Sequence, residues 1–323
     1  MIRAILKKSL LAKKIYRCLK KTRYKRRYRL ATEVESKFID RRKYADKLCL
    51  ILAGYKPHLY EDVFERISRY IPGDIDVCIV SSGLYSTTLA AIAEKNAWSY
   101  LSTKRNCVTL AQNAAILLYK DAKYIYKIDE DIFVTRGCFD MLWQTMMQVE
   151  ATEPYRVGFV TPLIPVNGYG HLRILKKLGL INVYKEKFER PIYASSSERL
   201  IEKSGDAARF FWGEGGYIPP IDQMNAQFLN EDFQYSVCPI RFSIGFILMR
   251  RDVWERMGMW KVLPDNPCMG VDEEQLCSFC MTNSLAIVVS ENTVVGHLSF
   301  GQQNDSMKEY YTAHREQFRY SRE

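Results

Sequence analysis

The sequence predicts an α/β fold built on a mostly parallel sheet. Two observations carry this reading. Short apolar runs recur from residue 48 onward, and stretches of ten or so residues with helical spacing separate them. Strands joined by such helices form βαβ units, and these close on parallel sheets. The composition agrees: 323 residues with 47% apolar and 26% charged content describe a globular chain with a sizeable core, as one large domain or two moderate ones. The longest apolar runs, such as 49–53 and 245–249, fall far short of the roughly 20 residues that span a bilayer.

The elements follow in order. LCLILAG (48–54) reads as the first strand of the body, and residues 60–70 have helical spacing that stops before Ile71-Pro72-Gly73. IDVCIVSS (75–82) is a strand, 87–95 a helix, WSYLS (98–102) a strand and 110–119 a helix. YIYKID (124–129) is a strand, followed by a helix over 139–149 and the strand VGFVTPL (157–163). Residues 164–236 carry scattered glycines and Pro219-Pro220 with no βα rhythm, and read as a loop-rich insertion of the kind that holds substrates on a rigid sheet. WGEGGYIPP lacks the spacing of a phosphate-binding glycine loop. Order returns with the strand IRFSIGFILM (240–249), a helix ending near Gly258, the acidic-headed helix GVDEEQLCSFCM (270–281), the strands LAIVVS (285–290) and TVVGH (293–297), and a helical tail over 305–318.

The charge is unevenly placed. Of the 47 basic residues thirteen stand in residues 1–30, beside no acid, which leaves 34 against 37 acidic residues in the rest of the chain. Residues 1–21 read as a helix with Ile2, Ile5, Leu6, Ser9, Ala12, Tyr16 and Leu19 on one face and Arg3, Lys7, Lys14, Arg17 and Lys21 opposite. The uncharged core of a secretory signal is missing. No recognition motif accompanies the basic stretch, so nucleic acid is not the expected partner. A basic amphipathic helix on an anionic membrane surface is. The nine cysteines are odd in number and mostly set in apolar surroundings, which suits reduced thiols in a cytosolic protein. Cys277 and Cys280 form a single CxxC without a second ligand pair, and read as core residues one helical turn apart.

The chemistry concentrates in KIDEDIFV (127–134). Asp129, Glu130 and Asp131 stand at the carboxyl end of a strand, where parallel sheets bind ligands. In extended backbone Asp129 and Asp131 point the same way. Two hard oxygen donors there suit Mg²⁺ or Mn²⁺, which keep further positions for water and substrate phosphates. A second acidic cluster, Asp272, Glu273 and Glu274, opens a helix, where carboxylates complement the helix dipole and can also serve as a general base. His297 closes a late strand and is a candidate third metal ligand.

Taken together, LCLILAGYKP, LAQNAAI (110–116), KIDED, FSIGFILMRRDVWERMGMW, GVDEEQL and VVGHLSF stand in the order and spacing of a GT-A glycosyltransferase, and the chain resembles the family-2-like, inverting enzymes over about residues 48–300. The resemblance implies a Rossmann-like GT-A domain at 48–300, with a nucleotide-sugar half (48–163) and an acceptor half (164–300). Before it stand the leader (1–30) and a linker (31–47), and a tail (301–323) follows.

It further implies metal-dependent transfer of a sugar from a nucleotide-diphosphate donor, most often UDP, to an acceptor hydroxyl with inversion. The acceptor would be a glycan or a lipid-linked precursor of a surface polysaccharide or glycolipid, at the cytoplasmic face of a membrane. By the same resemblance Asp129, Asp131 and His297 hold Mn²⁺ or Mg²⁺. Ala53, Tyr55, Ser82, Asn113, Asp129 and Glu130 contact the donor, and Asp272 or Glu273 is the base. Two features depart from the family pattern: its E-D order appears as Asp272-Glu273, and Ser81-Ser82-Gly83 stands where an Asp usually follows the second strand. A sugar-phosphate nucleotidyltransferase would want an early G-x-G-T-R-like loop in place of LAGYKP. A scaffold protein on a decayed transferase fold would not need the intact acidic positions.

Overall fold

The structure is a computed structural model that describes residues 10–194, 199–264 and 266–320, with backbone alone at 10–14, 16 and 17. The chain opens with helix α1 (Leu10–Glu33) and strand β1 (Ser36–Ile39). There follow β2 (Lys47–Leu52), α2 (Tyr60–Tyr70), β3 (Ile75–Ser82), α3 (Thr87–Lys95), β4 (Ser99–Thr103), α4 (Val108–Leu118), β5 (Tyr124–Asp129) and β6 (Ile132–Phe133). Next come α5 (Cys138–Thr152) and β7 (Arg156–Leu163), then the helices α6 (Gly170–Lys177), α7 (Ile181–Lys187), α8 (Leu200–Lys203), α9 (Gly205–Phe211) and α10 (Ile221–Leu229). The chain ends with β8 (Tyr235–Val237), β9 (Phe246–Arg250), α11 (Arg251–Met257), α12 (Val271–Thr282), β10 (Leu285–Val294), β11 (Gly296–His297) and α13 (Asn304–Ala313).

Among the described residues one nine-stranded sheet runs in the order β1-β4-β3-β2-β5-β9-β7-β10-β8. Strands β2, β3, β4 and β5 pair in parallel, as do β7 and β10, while β9 runs antiparallel between the two groups and β1 and β8 form antiparallel edges. The sheet is thus mostly parallel, and the strand order reverses at β2. The central strands are buried on both faces; all eight residues of β3 are inaccessible. That is why they read as unbroken apolar runs. Each buried Ile, Val or Leu contributes about 1.5–3 kcal/mol by leaving water. Ser86 starts α3 by accepting a hydrogen bond from the Leu89 N–H.

Four expectations meet a different arrangement. The stretch 31–47, expected as a linker, holds β1, which pairs with β4 along Ser36–Ile39. Its half-exposed SKFI has too few buried positions to show as an apolar run. The predicted strand 240–249 is ordered as a strand only from Phe246; residues 240–245 form a loop. Residues 164–236 form five helices and strand β8 rather than loops, the helices being nine residues or shorter. The pair LAIVVS and TVVGH is largely one bulged strand, β10, with β11 after it.

All nine cysteines are free thiols, eight of them buried. Helix α1 joins the body through its last third: Tyr24 and Leu30 pack against the core, Ala31 is buried, and Arg27 donates to the Gly258 and Met259 carbonyls at 2.8 Å. Further up the helix Ile15 and Leu19 are about half exposed. The expected apolar positions Ile2, Ile5, Leu6 and Ser9 lie outside the described residues. Among the described residues no helix is long and apolar enough to cross a membrane.

Candidate active site

The parallel strands β2, β3 and β5 end on the same edge of the sheet, and a cavity of about 380 Å³ lies beyond those ends. Its floor is the acidic stretch after β5. The Asp129 N–H still bonds to Gly245 O, extending the ladder with β9 to the end of β5, and the chain then turns at Glu130 and Asp131 rather than staying extended through the trio. Asp129, Glu130 and Asp131 all line the cavity, and Glu130 accepts from the backbone N–H groups of Gly54 and Tyr55 at 2.8 and 3.1 Å. Glu130 thereby fastens the loop after β2 onto the end of β5.

The question of what neutralises three adjacent carboxylates has a direct answer. Lys127, two residues before Asp129 on the same strand face, places its ammonium 2.7 Å from Asp129 and donates also to Ile244 O. Lys56 Nζ lies 2.5 Å from Asp131 Oδ2, and His297 Nε2 approaches the same oxygen at 3.4 Å. Burial opposes ionisation of Asp131, yet the His297 and Lys56 charges hold it well below the ordinary carboxylate range. Burial pushes Asp129 up to about 6, Lys127 working against it and Asp131 and Asp272 adding to it. Burial likewise raises Glu130, less strongly because backbone N–H groups stabilise its charge.

His297 reaches Asp131 through a short two-stranded sheet. β11 pairs antiparallel with β6, setting His297 opposite Ile132, and Leu298 N–H donates to Asp131 O at 3.1 Å. The preceding Gly296 is required by packing: a Cβ there would stand 2.3 Å from the Trp212 ring. The Nδ1 of His297 lies 3.2 Å from Val166 O. Val166 O can only accept, so Nδ1 carries a proton, and Nε2 faces Asp131 and the cavity.

Across the cavity α12 begins at Val271, and the first-turn residues Asp272 and Glu273 line the wall. Asp272 is fixed: Oδ2 accepts from Gln112 Nε2 at 2.9 Å and Oδ1 from the Glu273 N–H at 3.0 Å. Glu273 Oε1 pairs with Arg241 Nε at 2.5 Å, and burial raises its pKa against the pull of that guanidinium.

Of the donor-contact residues expected from sequence, Ala53, Tyr55, Ser82, Asp129 and Glu130 line the cavity. Asn113 does not. It is buried inside α4, where Nδ2 donates to Trp260 O and Oδ1 accepts from Trp254 Nε1 and Trp260 N, a fastening between helix and loop. The cavity also contains residues that sequence reasoning passed over, chiefly Lys56, Lys127, Asn106 and Ser243. Lys127 had a signal: a lone charge inside an apolar strand, in register with Asp129 and Asp131.

Among the described residues no three His, Cys, Asp or Glu side chains stand together as a ready-made metal cage. Asp131 and His297 nonetheless form a two-donor corner, with Asp129 beside it, in a cavity with room for the water and phosphate oxygens that complete Mg²⁺ or Mn²⁺ coordination. The donor set fits such an ion.

No protein family matches the chain by sequence, and no curated protein does. Among solved structures the chain is similar to a mannosyltransferase from Pyrobaculum calidifontis in complex with GDP-Man and Mn²⁺, at 13% identity and TM-score 0.44, over 85% of this chain and 63% of that one. It is similar also to glucosyl-3-phosphoglycerate synthase from Mycobacterium tuberculosis in complex with Mn²⁺, UDP and glucosyl-3-phosphoglycerate, at 15% identity and TM-score 0.42, over 84% and 79% of the two chains. GalNAc-T7 with UDP, GalNAc and Mn²⁺ is similar at 11% identity and TM-score 0.45, over 85% of this chain and 52% of that one. The chain thus spans less than two thirds of the mannosyltransferase and about half of GalNAc-T7.

Proposed function

We propose that the protein is a GT-A-type glycosyltransferase that moves a sugar from a nucleotide-diphosphate donor, UDP-linked by preference, to an acceptor hydroxyl with inversion. The observation that carries this reading is the cavity at the carboxyl ends of β2, β3 and β5, with Asp129, Asp131 and His297 on its floor and Asp272 and Glu273 on its wall. Asp131 and His297, with Asp129 beside them, would hold Mn²⁺ or Mg²⁺, and the ion would neutralise charge growing on the departing diphosphate.

The residues of the chain do the rest. Tyr55 and Ser82 offer the nucleoside an aromatic face and a hydroxyl; the Tyr55 hydroxyl donates to Ser82 O at 2.6 Å, which ties the two sides of that subsite together. Glu130 holds the loop that carries Tyr55. Glu273 takes the proton from the acceptor hydroxyl; burial raises its pKa against the pull of Arg241, which makes it the stronger base. Asp272, held by Gln112 and the helix N-terminus, supports that wall. The basic helix α1 would keep the enzyme on an anionic membrane surface, next to a lipid-linked or glycan acceptor.

Titration calorimetry with UDP, GDP, CMP and dTDP, each with and without Mn²⁺, tests the reading. One nucleotide should bind only with metal, and Asp131→Asn should abolish that binding while leaving the thermal midpoint in place. Absence of metal-dependent binding for all four nucleotides would overturn the proposal.

A further inference from the structure

The two lysines of the cavity are not equivalent. Lys127 is a fixed counter-ion: its side chain is 4% exposed, and its ammonium is shared between Asp129 and a backbone carbonyl. Lys56 is a conditional one. Its side chain is 24% exposed, and Asp131 Oδ2 is its hydrogen-bond acceptor. An ammonium has three N–H donors, so Lys56 keeps capacity facing the cavity. The loop that bears it is anchored independently, by Glu130 at Gly54 and Tyr55, so the side chain can leave Asp131 without releasing the backbone.

Resting on the reading above, we propose that Lys56 is a diphosphate-binding residue that occupies Asp131 only until a divalent cation and an oxyanion arrive together. The charges motivate the exchange. Asp131 Oδ2 is the meeting point of the Lys56 and His297 contacts, so a cation taking that oxygen must displace the ammonium. The two other carboxylates that act on Lys56 are already engaged, Asp129 by Lys127 and Glu130 by the Gly54 and Tyr55 N–H groups, so a phosphate oxygen is the acceptor left for the displaced ammonium and takes a charge-assisted hydrogen bond from it. Lys56 thus opposes the metal alone and favours the metal–diphosphate pair, a coupling that acts on both ligands alike.

The test uses Mn²⁺ alone and Mn²⁺ with inorganic pyrophosphate, titrated calorimetrically into the full chain and into Lys56→Met. The variant should bind Mn²⁺ alone more tightly, by about threefold or more, and Mn²⁺-pyrophosphate more weakly, by about tenfold or more. These opposite signs separate the role from a structural one, which would weaken both. Lys56→Arg should retain pyrophosphate binding, and it serves in place of Met should that variant fail to fold, with tightened Mn²⁺ binding no longer expected. Pyrophosphate affinity within twofold of the parent in Lys56→Met, or parallel weakening of both ligands, overturns the assignment. If the parent binds Mn²⁺-pyrophosphate but no nucleotide, the glycosyltransferase reading falls while the Lys56 assignment stands; if the parent binds neither, both fall.

Discussion

Glu202 on α8 accepts a hydrogen bond from the Gly168 N–H at 3.2 Å, and burial, reinforced by the negative charge of Glu273, pushes its pKa up to about 7. A carboxyl raised on folding favours the protonated native state. Its contribution to stability is therefore complete below the unfolded value of about 4.5, declines as pH climbs from there toward 7, and is lost above it. Glu202→Gln imitates the protonated form. The variant should match the parent at pH 4.5 and exceed it at pH 8 by on the order of 1–3 kcal/mol, measured by urea denaturation at both values. An equal difference at the two pH values would show that the substitution acts through packing alone. Glu202 also marks what sequence reading can and cannot do at this scale. Asp129 and Asp131 stood out as candidates because they follow an apolar strand, His297 because it closes one, and Asp272 and Glu273 because they head a helix. Glu202 sits in an ordinary polar stretch, SERLIEKS, and only folding brings it near Glu273. Lys56 was hidden for a related reason: a lysine before a proline reads as a solvated turn until Asp131 is placed opposite.

At the scale of elements, the strands β2, β3, β5 and β7 and the helices α2 and α3 follow the sequence pattern to within two residues, because each is either largely buried or amphipathic. What escaped was whatever draws its stability from partners far away in sequence: the edge strand β1, paired to β4, and the short helices between residues 170 and 229. Asn113 belongs to the same lesson. Its place in LAQNAAI suggested a donor contact, but its three hydrogen bonds clamp α4 to the turn after α11. Replacing it with Ala would leave the Trp254 and Trp260 N–H groups unpaired in the core. Asn113→Ala should therefore cost roughly 2–4 kcal/mol in urea denaturation. The affinity for the metal–nucleotide pair should change by less than about twofold, since no wall of the cavity moves. Loss of nucleotide binding at unchanged stability would return Asn113 to the role first expected of it.

For the whole molecule, the uneven charge becomes a statement about geometry. The body is nearly neutral, and α1 carries the basicity along a helix whose last third is part of the core and whose earlier turns stand away from it. The boundary between the two parts falls near Tyr24, not at residue 30, because Tyr24, Arg27 and Ala31 recur at helical spacing on the face that meets α4 and the Gly258–Met259 turn. Two truncations should then behave differently. Removing residues 1–20 takes away seven of the thirteen leader cations and leaves the docked turns intact. That protein should keep its thermal midpoint and its nucleotide affinity but lose most of its binding to vesicles containing phosphatidylserine, since each Lys or Arg near such a surface contributes about 1 kcal/mol. Binding of the full chain should weaken as salt rises and be small on phosphatidylcholine alone. Removing residues 1–33 strips Tyr24, Leu30 and Ala31 from the core and uncovers the side of α4, so it should lower stability by several kcal/mol as well. Co-sedimentation with vesicles and thermal denaturation of the two truncations decide the matter. If the protein lacking residues 1–20 still sediments with anionic vesicles as the full chain does, the membrane contact belongs to another face of the body. If the protein lacking residues 1–33 is as stable as the parent, α1 is an appendage, and its contacts with Gly258 and Met259 do not hold it in solution.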